Sequence, residues 1–422
     1  MLVKSQGAVP QTAQFSLSFI EFVSLIALLM ALTALSIDVM LPALPQIGNA
    51  LGVSDENDRQ LVISIYFIGF AAGQILFGPL SDHYGRRQPL LAGLALYIAG
   101  TILALSSGSF VGLLVARVLQ GFGASAPRVI ALAIVRDRFG GREMARVMSF
   151  VMMVFIVVPI LAPGVGEIIL HLSGWRIIFD FLLLVAASSI MWAWLRLPET
   201  RHEGDRLPFS ASSVWAAAKL VAMTRQTAGY VIGMGFVFGL LLSYIVSAQQ
   251  IFVDVYGLGS RFPIAFGAIS CFLVAASGLN ALLVRRIGMR GVSHRAIFAG
   301  LFVCGLMAAA GFPEKPPLLV FGLYMGIVFF CFGVIMPNFN ALSMEPMSHI
   351  AGTASSLAGF YSTVAGAAFA TAIGRSFDGT VRPLCIGITV LFIATLVTVL
   401  ITERFKLMQH KSAPDVPMPE GE

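Results

Sequence analysis

Two ionisable residues stand inside long apolar runs. Asp38 lies in "ALSIDVML", three residues before one end of its run, and Arg117 lies in "RVLQGFGASA", seven residues into another. A charge inside a membrane-spanning segment costs about 2.5–3.5 kcal/mol and marks ion or substrate pathways. Seven residues of helix are about 10 Å, so the two can sit at comparable depth and meet across a cavity. A permanent pair would fix one helix against another. A pair that separates during a conformational change would alter the proton affinity of Asp38, because a guanidinium nearby favours the carboxylate. A cationic or polar substrate could then compete with the proton, which is the chemistry of antiport. No histidine stands in for Asp38, since His83, His171, His202, His294, His349 and His410 all fall in segments read as loops or tails.

Arg128 lies eleven residues after Arg117, on nearly the same helix face, just after Pro127. Three roles stay open for it. It can snorkel to the inner surface, pair with Glu21 as a lower gate, or face a cavity and favour anionic or carbonyl-rich substrates. Wall candidates for that cavity are Tyr66, Phe155, Phe236, Tyr244, Gln249, Asn280, Asn338, Asn340 and Tyr361. Aromatic and amide groups suit loose binding of amphipathic molecules. For each of them core packing or a helix–helix hydrogen bond is an equally good reading.

Outside the apolar runs, "GPLSDHYGRRQPL" joins a carboxylate, a tight glycine turn and paired arginines, from Gly78 to Leu90. Gly78 permits close helix approach, and Gly85 permits the turn. Asp82 can pair with Arg86, which can also reach Asp137 in "RDRF", while Arg87 extends the cation pair. Such a network at a bundle seam favours one of two packings. A further stretch, "PILAPGVG", sets Pro159 and Pro163 four apart and follows them with Gly164 and Gly166. The prolines bend a helix and the glycines allow close packing. Glu167 follows them directly.

The elements that position these residues follow from composition. Of 422 residues 58% are hydrophobic and only 11% charged, and mean hydropathy is +0.89. Soluble domains carry about 25% charged residues. An ordinary cytosolic enzyme and a disordered chain are excluded. The cysteines, Cys271, Cys304, Cys331 and Cys385, are far apart in apolar runs and form no disulfide framework. Twelve segments are long and apolar enough to span a bilayer: 19–41, 61–80, 89–107, 110–135, 147–170, 175–197, 228–253, 262–284, 296–312, 318–336, 352–373 and 384–401. Lipid requires them to be helices.

Basic residues set the orientation. With the N-terminus inside, the inner side holds nineteen Lys and Arg and the outer side six, so both termini are expected in the cytoplasm. The net charge of +6 is then a property of inner loops, with no call for nucleic acid. The chain divides into an N-terminal tail (1–18), a six-helix bundle (19–197), a central cytoplasmic loop (198–227), a second bundle (228–401) and a C-terminal tail (402–422). The loop includes an amphipathic stretch at 213–223, suited to the inner surface. A weak repeat links the halves: Gly85 and Arg87 match Gly288 and Arg290, and "ARVMS" matches "GTASS". Such repeats place a binding site between them.

The Gly78–Arg87 loop resembles the signature loop of the major facilitator superfamily. "RVLQGFGASA" is similar to the second motif of its drug:proton antiporters, and "PILAPGVG" to their antiporter motif. With "SIDVMLPALPQI", "RDRF", "MSFVM", "GWRIIF" and "AGTASSLAG", the chain resembles the bicyclomycin-resistance (Bcr/CflA) branch over roughly residues 20–400. The resemblance implies two six-helix bundles around a central cavity, alternating access, and export of compounds such as bicyclomycin, sulfonamides and phenicols. A multi-pass protein of a bacterial inner membrane is expected, partly from this resemblance, and a monomer is expected. Without a Walker loop the expected drive is the proton gradient, with no cofactor and no metal. Export or symport of a metabolite on the same scaffold is the rival within transport. A non-transporting receptor or membrane enzyme is the rival outside it, but no nucleophile–base pair or metal triad is present.

Overall fold

The computed structural model describes residues 17–201, 203–206 and 211–408. Thirteen α-helices, joined by short 3₁₀ turns and one π-helical stretch, make up the described chain, with no strand among the described residues. The first half holds α1 (Phe19–Asp38), the short α2 (Leu44–Ala50), α3 (Leu61–Tyr84), α4 (Arg87–Leu105), α5 (Phe110–Arg138), α6 (Gly141–Ser173) and α7 (Arg176–Arg196). The small α8 (Ala211–Met223) follows, and the second half holds α9 (Arg225–Gln249), α10 (Phe262–Ala309), α11 (Leu318–Met344), α12 (Ala351–Arg375) and α13 (Arg382–Thr402).

Eleven stretches are long and apolar enough to cross a membrane, against the twelve read from sequence. The difference lies in α10. Its 48 residues would run about 72 Å as one helix, more than twice a bilayer's hydrocarbon core. Gly288 breaks it with φ 71° and ψ 163°, nearly the backbone of Gly85 (φ 90°, ψ 173°) between α3 and α4. The eighth and ninth segments therefore meet at a glycine turn matching that of the second and third.

Local signals start the helices. Ser18 accepts a hydrogen bond from the Glu21 amide at the head of α1, and Ser109 accepts one from Gly112 at the head of α5. Large apolar side chains point outward as well as inward: Val111, Leu172, Leu184, Phe302 and Leu319 are exposed. Such a surface is solvated by lipid tails. Within the first half α3 and α4 pack on α5, and α1 on α6; in the second, α9 packs on α11, α12 and α13. The halves meet along two seams, α3 against α12 and α6 against α10. A Cβ on Gly78 would stand 2.8 Å from the Ser356 hydroxyl of α12, so the motif glycine lets the first seam close.

Candidate functional site

The Gly78–Arg87 loop lies at the basic end of the bundle. Its centre is Arg86, which is buried. The guanidinium donates from Nε to Asp137 Oδ2 at 2.6 Å and from Nη1 to Asp82 Oδ1 at 2.8 Å, with Ser81 Oγ also at 2.8 Å. Burial works against the charge of Arg86, but Asp137 and Asp82 outweigh it and hold the group above its ordinary pKa. Arg201 shares Asp82 at 2.7 Å, and Arg87 donates to the Trp194 carbonyl. Glu199 completes the cluster. Its carboxylate accepts the backbone amides of Arg86 at 2.7 Å and Arg87 at 3.0 Å, and so caps α4, which has no cap of its own. Asp82, Arg86 and Asp137 thus come together. Glu199 and Arg201 had no signal in the sequence beyond being charged.

A counterpart closes the second half. Arg290 donates to Glu403 at 2.9 Å and to Glu345 at 3.2 Å, and the Tyr230 hydroxyl donates to Glu403 at 2.6 Å. Arg86 through its backbone amide, and Arg290 through its guanidinium, each donate to a glutamate 113 residues further along the chain. The Gly288–Arg290 repeat was the available signal for this second cluster. Burial raises the pKa of Glu403, but its hydrogen bonds from Tyr230 and Arg290 prevail and set it below its usual range. His294, read from sequence as a loop residue, is buried in α10 and accepts the Met408 amide through Nδ1 at 3.1 Å. His83 and His171 also lie in helices, α3 and α6.

Asp38 ends α1 and is buried. It forms no ion pair among the described residues, and the expected Asp38–Arg117 contact is absent. Arg117 instead donates to the Ser36 carbonyl at 3.1 Å, the Val62 carbonyl at 3.0 Å and the Gln120 side chain, with its guanidinium 4.4 Å from the centre of the Tyr66 ring. Depth along two helices can be counted from sequence, but direction around them cannot. Tyr244, on α9 of the second half, is likewise buried. The Tyr244 hydroxyl is buried without a hydrogen-bond partner among the described residues, inside an aromatic cluster with Phe252, Phe266 and Phe329.

Pro159 and Pro163 lie inside α6, which runs through both. A Cβ on Gly166 would collide with the Val39 carbonyl, next to Asp38, whereas at Gly164 the nearest atom would be Pro263 Cβ at 3.9 Å. Only Gly166 is required for close approach. Glu167 pairs with His171 at 3.0 Å.

Other wall candidates divide. Asn338 donates to Asn280 at 2.8 Å, a bond between α11 and α10 within one half. Phe236 packs on Phe369, Tyr66 and Gln249 are buried, and Asn340 and Tyr361 are exposed. The side chain of Phe155 lies outside the described residues. Glu21 pairs with Arg196 at 2.7 Å and also accepts from Trp192, so of the three roles open for Arg128 the pairing with Glu21 is not formed; Arg128 is half-buried on α5. An apolar groove of about 370 Å³ between α1 and α6, lined by residues such as Leu35, Val157 and Leu161, contains none of these candidates.

At the end opposite the basic loop the halves are tied. Asn57 donates to the carbonyls of Arg375 at 3.3 Å and Phe377 at 3.0 Å and accepts from Gln250 at 2.9 Å. Gln250 also pairs with Gln60, and Arg375 with Asp58 at 2.7 Å. Midway along the seam Thr363 donates to Gln74 at 3.3 Å.

Residues 26–370 match the Major Facilitator Superfamily. An uncharacterized MFS-type transporter of Bacillus subtilis (strain 168), YdgK, is 30% identical over 83% of this chain and 87% of its own. A bicyclomycin resistance protein homolog of Haemophilus influenzae is 28% identical over 88% of this chain and 94% of its own. The fold is similar to a D-xylose-proton symporter, with TM-score 0.72 and 15% identity over 94% of this chain and all of that one. The chain therefore belongs to the Major Facilitator Superfamily and is a multi-pass membrane transporter of small molecules, not an enzyme.

Proposed function

We propose that this transporter exports amphipathic small molecules, antibiotics among them, out of a bacterial cytoplasm in exchange for protons. The observation that carries this reading is Asp38, a buried carboxyl at the end of α1 with no ion pair among the described residues, next to the close approach of α6 at Val39. A group so placed can hold a proton in one state and yield it to a polar substrate or to water in another. Arg117 acts through backbone: by holding the Ser36 and Val62 carbonyls it sets where the end of α1 stands. Gly166 brings the proline-bearing α6 against Val39, so movement of α6 is felt beside Asp38. The name of the Haemophilus relative, a bicyclomycin resistance protein homolog, supports the substrate class.

In this reading the basic end is cytoplasmic, following the distribution of Lys and Arg. The ties from Asn57, Asp58 and Gln60 then close the outer side, and the Arg86 cluster belongs to the gating machinery of the inner side.

The test is drug susceptibility and efflux in cells overexpressing the protein, with and without a protonophore. Wild type should raise resistance in a protonophore-sensitive manner. Asp38→Asn fills the same space without exchanging a proton, and should reach the membrane yet lose gradient-driven efflux. Undiminished pH-driven efflux by Asp38→Asn would remove Asp38 from the mechanism. Proton flux without resistance to any drug would instead assign the site to a metabolite.

A further inference from the structure

The chain leaving α13 makes a tight knuckle at the basic end. Arg404, Phe405 and Met408 have φ of 52°, 59° and 62°, a left-handed backbone uncommon outside glycine and least expected of a bulky residue. The knuckle is pinned on both sides. Glu403 is held by Arg290 and Tyr230, and the Met408 amide donates to His294. Its middle faces outward: Phe405 is 76% exposed, between exposed Arg404 and Lys406.

The same ties bring the α10 turn alongside. Arg285 and Arg286 before that turn and Arg295 after it are exposed. Five cations thus share one end of the second half, and none of them forms an ion pair among the described residues. The neighbouring acids, Glu403 and Glu345, are both engaged by Arg290. Directly before the cations, the lipid-facing sides of the helices end in exposed Leu282 on α10 and Ile401 on α13. Apolar surface followed at once by cations is the profile of the boundary between lipid tails and headgroups. An exposed phenylalanine there reaches into apolar tails, and guanidinium groups pair with phosphate oxygens.

We propose that this knuckle, with Arg285, Arg286, Arg295, Arg404 and Lys406 around Phe405, is a docking site for an anionic phospholipid. The headgroup phosphate sits among the cations, and Phe405 packs against the acyl chains. The boundary position favours a lipid over a nucleic acid or an acidic protein, either of which would need these cations to face open water. The inference does not depend on the transported substrate or on proton coupling.

Native mass spectrometry of the full-length protein in detergent tests it, with dioleoylphosphatidylglycerol or dioleoylphosphatidylcholine titrated separately. Wild type should retain the anionic lipid at least tenfold more strongly. A cation near an anionic surface contributes about a fivefold gain in binding, so Arg285→Gln/Arg404→Gln/Lys406→Gln should weaken retention by up to about a hundredfold. Phe405→Ala should weaken retention of both lipids while keeping the preference for the anionic one. Arg136→Gln, an exposed cation of the first half, should change nothing. Equal retention of the two lipids, an unchanged triple variant, or an equal loss in Arg136→Gln would each overturn the site.

Discussion

Asn57→Ala should unlatch the end of the transporter opposite the basic loop. Asn57 makes three hydrogen bonds across the seam, two to carbonyls of the Arg375–Phe377 turn and one from Gln250. When the halves part, water replaces all three, so the substitution acts on the closed state alone. A typical hydrogen bond contributes about 1 kcal/mol net, which gives about 3 kcal/mol, or roughly a hundredfold shift in the open-to-closed ratio. The neighbouring Arg375–Asp58 pair is more than half exposed at its arginine and adds under about 1 kcal/mol, so Asp58→Asn should shift the ratio only a few-fold. Electron–electron resonance between spin labels placed in the loop before α3 and the loop after α12 reads the populations directly. The variant should gain a long-distance population that wild type lacks. Identical distance distributions would show that the contacts are incidental and that closure is set elsewhere, for instance by packing of α3 on α12.

At the basic end, Arg86→Ala should slow turnover at least tenfold without abolishing substrate binding, because it deprives Asp82 and Asp137 of their shared cation far from Asp38; substrate binding and single-turnover efflux in proteoliposomes separate the two effects. Asp82→Asn should be milder, since Asp137 still holds Arg86. Glu403 has its pKa depressed in the fold, so its contribution to stability is complete above the ordinary carboxylate range and is lost as pH falls through the depressed value. Glu403→Gln should accordingly unfold at lower temperature than wild type at neutral pH, with the gap narrowing toward acid; a gap independent of pH would mean that the carboxylate is not the stabilising species.

Hydropathy made the spans legible because lipid imposes one length and one backbone solution on every crossing segment. The boundary at Gly288 was readable for the same reason, even though the helix looks continuous on either side of it. The Arg86 network was partly legible, since Asp82 and Arg86 share a loop and Asp137 ends a neighbouring helix. Its acceptor Glu199 was not, because nothing in a lone glutamate after the sixth span says which amides it will meet. Asp38 and Arg117 stand out in the sequence as ionisable residues inside apolar runs, but the pairing that their depth allows is not formed in this structure. Equal depth does not fix which way a side chain points, and Arg117 finds the carbonyl two residues before Asp38 instead of its carboxylate. The Asn57–Gln250–Gln60 tie was invisible for a further reason: it depends on how two halves dock, and amides carry no charge to betray them.

The glutamates that close the two basic-end clusters also set an order of events during synthesis. α4 begins with amides that no nearby side chain satisfies, and their acceptor, Glu199, is made 113 residues after Arg86. Until the sixth span has emerged, the start of the third has only water or lipid headgroups for partners. In the second half the guanidinium of Arg290 can meet Glu345 after 55 residues but gains Glu403 only after 113. Each half thus gains a closing contact from a residue just past its last span, so a nascent chain stopped inside either half would lack that contact at its basic end and leave polar groups open to quality-control proteases.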